Sequence, residues 1–126
     1  MSEDLTILSS QVREPVKKLE AFPNPGVVAV RMDTEEFTSL CPVTGQPDFC
    51  SVSIFYHPKN KCLESKSLKL YLWSFREEGH FNEALAQIIC EDIHKVLEPF
   101  YICVTVIQRP RGGISISATA EIGEKD

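Results

Sequence analysis

Residues 27–57 read VVAVRMDTEEFTSLCPVTGQPDFCSVSIFYH, and their pattern sets the fold. VVAVRM, residues 27–32, is a run of strand formers. FCSVSIFYH, residues 49–57, alternates apolar and polar positions before turning apolar, which predicts a second strand. Between them lie Pro42, Gly45 and Pro47. Each proline fixes its own φ and disfavours helix in the residue before it, and glycine tolerates turn geometry. The segment therefore folds back as a hairpin-like connection. Folding back brings Asp48 toward Cys41. A deprotonated cysteine is a nucleophile and an aspartate can carry a proton, so this loop is the candidate reaction centre.

Downstream, PKNK at residues 58–61 is a turn. From Glu64 the sequence ESKSLKLYLWSFREEG predicts a helix ending near Gly79, with a strand over residues 68–75 as the competing reading of its aromatic content. Leu68, Leu70, Tyr71, Leu72, Trp73 and Phe75 would make this helix apolar on most sides, which predicts burial on more than one face, against another subunit. Residues 80–97 have the clearest helical period: Phe81, Ala84, Leu85, Ile88, Ile89, Ile93, Val96 and Leu97 recur at spacings of three and four. Pro99 ends that helix. Residues 101–108 and 114–122 read as strands joined by a turn at PRGG, residues 110–113. The order ββααββ predicts an α+β domain, an antiparallel sheet with two helices on one face. Residues 1–25 read as an extended arm, 26–122 as the single domain and 123–126 as a tail. The open sheet edges favour self-association.

The chain has 126 residues, enough for one domain with a modest core. Its formal net charge of -5 gives no general reason to expect nucleic-acid binding. No apolar run approaches membrane-spanning length. The acidic start MSEDLTILSS carries no visible secretion signal. The five cysteines, Cys41, Cys50, Cys62, Cys90 and Cys103, are odd in number and without CxxC spacing. Reduced thiols in a cytoplasmic protein are the simplest expectation. Scattered cysteines and histidines give no metal-site spacing.

Lys66 and Lys69, three residues apart, can share a helix face that Arg76 extends; the bland reading is a solvated stripe. No GxGxxG follows a strand, so a Rossmann domain is unsupported. On composition alone, Glu83 is a solvent-facing helix residue and Asp48 a turn cap.

TSLCPVTGQPDF, LESKSLKLYLWSFR and PRGGIS are long, specific runs spread over about residues 37–120. In them the chain resembles the QueF family of NADPH-dependent nitrile reductases, in its short, single-module form. The resemblance implies the tunnelling fold, in which subunits join their sheets around a channel with active sites between them; short forms assemble as two face-to-face pentamers. It implies reduction of 7-cyano-7-deazaguanine to 7-aminomethyl-7-deazaguanine with two NADPH, a step toward queuosine in modified tRNA. The substrate is a free deazapurine, so direct tRNA contact is not required.

By the same resemblance, Cys41 is the nucleophile that adds to the nitrile carbon and Asp48 its acid/base partner. Glu64 and Ser65 border the base pocket, Lys66, Lys69 and Arg111 face the cofactor, and Glu83 anchors the guanine-like edge. Asn82 stands where the family commonly has histidine. It offers a neutral hydrogen bond but carries no proton near neutral pH, and histidine is expected to fit in its place. An amidine-forming relative shares the Cys/Asp pair but lacks the cofactor motif; the intact ESKSLKLY argues against that chemistry. A noncatalytic deazapurine- or pterin-binding module is the reading from another class.

Overall fold

The computed structural model describes residues 17–124. Its strands are β1 (Ala21–Pro23), β2 (Val30–Leu40), β3 (Pro47–His57), β4 (Lys61–Leu63), β5 (Tyr101–Arg111) and β6 (Ile114–Gly123). Two helices, α1 (Ser65–Trp73) and α2 (Asn82–Leu97), fall between β4 and β5. The main sheet is antiparallel with order β2-β3-β5-β6, and β1 pairs with β4 in a separate two-stranded ribbon. This is the α+β arrangement expected from the ββααββ pattern, with the ribbon added.

Period-two burial builds the sheet's inner face. Cys50, Val52, Ile54 and Tyr56 of β3 are buried, as are Ile102, Val104 and Val106 of β5. α2 lays Leu85, Ala86, Ile89, Cys90, Ile93 and Leu97 on that face. A 16-residue helix is marginal alone in water. Phe81, its N-cap, supplies no side-chain hydrogen bond. A missing cap costs about 1 kcal/mol, whereas each buried aliphatic side chain is worth roughly 1.5–3 kcal/mol, so packing decides that α2 forms.

Several boundaries differ from the sequence reading, beginning with the first strand, which starts at Val30 and not at residue 27. The first strand does not stop at residue 32: β2 continues to Leu40, through the segment read as loop. A bulge between Thr34 and Phe37 absorbs one extra residue against β3. β2 lies at an edge of the main sheet, where charged residues such as Asp33, Glu35 and Glu36 are tolerated and restrain unwanted pairing. The loop therefore contracts to residues 41–46, and Pro47 opens β3, a strand position that proline accepts.

The first helix ends at Trp73, not near Gly79. The next residues tighten into three-residue bonds, Phe75 N–H to Leu72 O at 3.2 Å and Arg76 N–H to Trp73 O at 3.1 Å. They are then drawn to β2, where Leu40 N–H donates to Glu78 O (2.9 Å) and His80 N–H to Leu40 O (3.2 Å). His80 thus lies in a connector, and α2 begins at Asn82. Leu68, Leu70, Tyr71, Leu72 and Phe75 are all buried within the chain, so the apolar surplus on α1 is no argument for a second subunit. Tyr71 helps close the gap, donating from its hydroxyl to Asp92 of α2 at 2.6 Å.

The arm boundary at residue 25 also moves. Residues 1–16 lie outside the described residues, but β1 belongs to the folded body through its pairing with β4. Glu20 N–H reinforces this, donating to Ser67 Oγ at 3.0 Å. At the other end Gly123 closes β6 with φ of +99°, and a Cβ there would lie 2.3 Å from Phe100 O, so only glycine fits.

Candidate active site

β2 and β5 run toward the same end of the sheet and β3 and β6 leave from it, so both hairpin turns sit together. The α1–α2 connector and the start of α2 arrive at this end too. The topology thereby gathers Cys41, Asp48, Glu83 and the PRGG turn, which lie up to 70 residues apart in sequence, counted from Cys41 to Arg111.

The Cys41 loop is closed by its own backbone. Cys41 N–H donates to Gln46 O and Gly45 N–H to Cys41 O, both at 2.8 Å. Gly45 has φ of +73°, which explains glycine there. Cys41 is half-buried. Hydrogen bonds from the Thr44 side chain, and then from backbone groups of Thr44 and Val43, hold its thiol below the ordinary range; partial burial and the Asp48 charge work against them. Thr44 Oγ1 already accepts from Gln46 N–H at 3.2 Å, which orients the hydroxyl. Burial, with the Asp48 charge, pushes Cys50 up to about 11; burial first, then nearby Cys103 and acidic side chains, puts Cys90 there too.

The sign of these shifts gives a labelling order. Above its lowered value Cys41 is already thiolate, while Cys50 and Cys90 remain thiols until the solution is strongly alkaline. Iodoacetamide at neutral pH is expected to modify Cys41 ahead of Cys50 and Cys90, with peptide mapping as the readout. Comparable early labelling of Cys50 would contradict this electrostatic picture.

Asp48 is 5% exposed and stands directly across from Ser39 in the β2–β3 register. Its charge reaches both Cys41 and Cys50. The carboxylate is thus placed beside the reactive loop by strand pairing, one residue inside β3, and not by a flexible turn. Gly79 of the connector packs over the loop: a side chain there would come within 3.3 Å of Pro42 Cα.

The remaining predicted residues separate. Glu64 is the N-cap of α1, its carboxylate accepting Ser67 N–H at 2.7 Å and Lys66 N–H at 2.9 Å. Glu64→Ala is expected to cost about 1–2 kcal/mol, measured by urea unfolding; unchanged stability would mean that the cap is dispensable.

Ser65 and Lys69 line a groove of about 610 Å³ between α1 and the β2–β3 face, together with Thr38, Trp73 and Arg76. Met32, Val52, Ile54, Leu68 and Leu72 form its apolar walls. Lys66 is outside this lining. Arg111 ends β5 opposite Ile114. Glu83 is exposed in the first turn of α2.

Asn82 turns inward. It is 4% exposed, and its Nδ2 donates to Val106 O at 2.9 Å and Ile116 O at 3.3 Å. A neutral imidazole has one N–H, so histidine in this place would keep at most one of the two bonds. Burial was invisible to sequence reasoning at this position, because a polar residue opening an amphipathic helix ordinarily faces water.

Sequence reasoning also missed Thr44, although a hydroxyl three residues after a cysteine in a tight loop was the available signal. Thr38 and Trp73 escaped because the groove exists only once α1 lies across the sheet.

Comparison with known proteins adds an independent line. The sequence model of QueF-like proteins matches residues 47–126. An NADPH-dependent 7-cyano-7-deazaguanine reductase of Syntrophus aciditrophicus is 50% identical over 124 residues, 94% of this chain and 89% of that protein. One of Bacteroides thetaiotaomicron is 54% identical over 108 residues, covering 83% and 72%. The crystal structure of an archaeosine synthase QueF-Like in the apo form is similar with a TM-score of 0.75 and 28% identity, covering 80% of this chain and 99% of that one.

Proposed function

The chain belongs to the QueF-like family, and from that premise we propose a nitrile reductase whose chemistry is carried by Cys41 and Asp48. It is an NADPH-dependent 7-cyano-7-deazaguanine reductase, forming 7-aminomethyl-7-deazaguanine on the route to queuosine. The observation that carries the assignment of residues is the loop itself: a half-buried thiol held low by Thr44, beside a buried carboxylate.

The Cys41 thiolate adds to the electrophilic nitrile carbon while a proton reaches the nitrile nitrogen, giving a thioimide. Asp48 is the group in place to take the proton that the Cys41 thiol gives up, pass it to that nitrogen, and handle the later ones. After the first reduction the tetrahedral carbon expels the Cys41 thiolate and leaves an imine, which is reduced to the amine. Glu83, exposed at the start of α2, presents a carboxylate that accepts hydrogen bonds from the N–H edge of the deazaguanine.

The groove along α1 has a mixed lining, with Asp33 and Glu36 of β2 opposed in charge to Lys69 and Arg76, and the dinucleotide is assigned to the side that Lys69 and Arg76 line. Lys69 and Arg76 offer cationic partners for phosphates, Ser65 a hydroxyl, and Trp73 with the aliphatic walls a place for flat rings. Bound there, NADPH supplies hydride for each reduction. Lys66, on α1 but outside the groove lining, and Arg111, at the β5–β6 turn, are assigned to the cofactor's phosphates by resemblance to the family. Removing one phosphate partner, as in Lys69→Ala or Arg76→Ala, is expected to weaken NADPH binding by roughly 1–3 kcal/mol and to leave nitrile capture intact. Unchanged cofactor affinity in both variants would detach the groove from NADPH.

The enzyme reading is tested by following NADPH absorbance. Loss that requires 7-cyano-7-deazaguanine, with two NADPH oxidised per nitrile, supports it; incorporation of labelled ammonia without NADPH loss would assign an amidine-forming activity instead. The open edges of β2 and β6 among the described residues support assembly by sheet extension, with a decamer of two pentamers and sites between subunits as the specific proposal. Light scattering reads that state directly, and a fully active monomer would reject it.

A further inference from the structure

We propose that Asn82 is a positioning residue that fixes where Glu83 stands, acting through the sheet and not through the substrate. The inference rests on the assignment of Glu83 as the substrate's anchor.

The apolar face of α2 is held by burial, which resists separation from the sheet but is non-directional along it. Residues 78–80 of the connector are bonded to Leu40 of β2, but the N-cap of the helix, Phe81, is 61% exposed and adds no side-chain bond of its own. Asn82 supplies the missing link: its two amide hydrogens reach Val106 O of β5 at 2.9 Å and Ile116 O of β6 at 3.3 Å. One side chain thereby ties the first turn of the helix to two strands at once.

The orientation of the amide is settled by chemistry. Reversing it would set Oδ1 against two carbonyl oxygens, and both donors would be lost. As it stands, Oδ1 is buried without a hydrogen-bond partner. That is a standing cost, and an apolar residue would avoid it while losing both directional bonds. Glu83, the next residue, is exposed, so its carboxylate inherits its position from the backbone that Asn82 fixes. A shift of about 1 Å in such a group is enough to damage recognition.

The test uses the full-length enzyme with 7-cyano-7-deazaguanine and NADPH, and Glu83→Ala as the reference. Asn82→Ala is expected to raise KM for the nitrile about tenfold, with kcat and KM for NADPH within about twofold of the parent enzyme. Asn82→Asp provides a second, internally controlled variant. Its carboxylate cannot donate to the carbonyls, but its protonated form can donate to one. Its nitrile KM, relative to the parent enzyme at the same pH, is therefore expected to fall as pH is lowered from about 8 to about 5.5, where a buried carboxyl takes up its proton.

If Glu83→Ala raises KM while both Asn82 variants lose kcat at constant KM, Asn82 is only a stabilising contact and the proposal is overturned with the Glu83 assignment intact. If Glu83→Ala leaves KM unchanged, the anchor assignment fails, and the proposal falls with it.

Discussion

Cys41→Ala is expected to lose nitrile-dependent NADPH oxidation by at least about three orders of magnitude, while the protein folds and keeps its affinity for NADPH. The loss follows from chemistry that has no substitute nearby. Cys50 is the next thiol in the same hairpin, but it lies 1% exposed on the inner face of β3, and burial, with the Asp48 charge, pushes its thiol up to about 11. It is therefore neither ionised nor accessible at neutral pH. Cys50→Ala should retain turnover, apart from any loss that follows from the small cavity it leaves. Equal activity in the Cys41 variant would remove covalent catalysis from the account.

Asp48→Asn is expected to separate reactivity from catalysis. The negative charge of Asp48 opposes ionisation of Cys41, so removing it should lower the Cys41 thiol further and speed its alkylation at neutral pH. Turnover should nevertheless fall by about 10²–10⁴-fold, because the amide carries no transferable proton to the nitrile nitrogen. Faster alkylation with slower turnover is a combination that a purely structural role for Asp48 does not produce. Stopped alkylation kinetics and steady-state rates on the same preparation read both arms. If turnover stays within a few-fold of the parent enzyme, the proton comes from elsewhere.

The architecture was legible where pattern and punctuation agreed. The spacing of Leu85, Ile89 and Ile93 announces α2, and alternation from Cys50 to Tyr56 announces β3. What composition obscured was competition between local and long-range bonds. α1 stops early because residues 78–80 bond to Leu40, a partner about 40 positions away that no local propensity encodes. β2 outlasts its apolar run because pairing with β3 carries it through a charged bulge.

The candidate site divides in the same way. Cys41 and Asp48 were readable from a loop bounded by Pro42 and Pro47, whereas the placement of Asp48 inside a strand needed the register with Ser39. Glu64 was expected beside the substrate, yet its carboxylate is committed to two backbone N–H groups of α1. Asn82 was expected at the same pocket and instead faces the sheet. In both residues a polar side chain does local structural work that sequence pattern alone cannot distinguish from recognition.

The most direct test of the central claim is the intact mass of the protein incubated with 7-cyano-7-deazaguanine in the absence of NADPH. Addition of one nitrile per chain, mapped to Cys41 and absent from Cys41→Ala, is the predicted result. An adduct that persists in Cys41→Ala, or nitrile-dependent NADPH oxidation by an enzyme that never forms one, would contradict it.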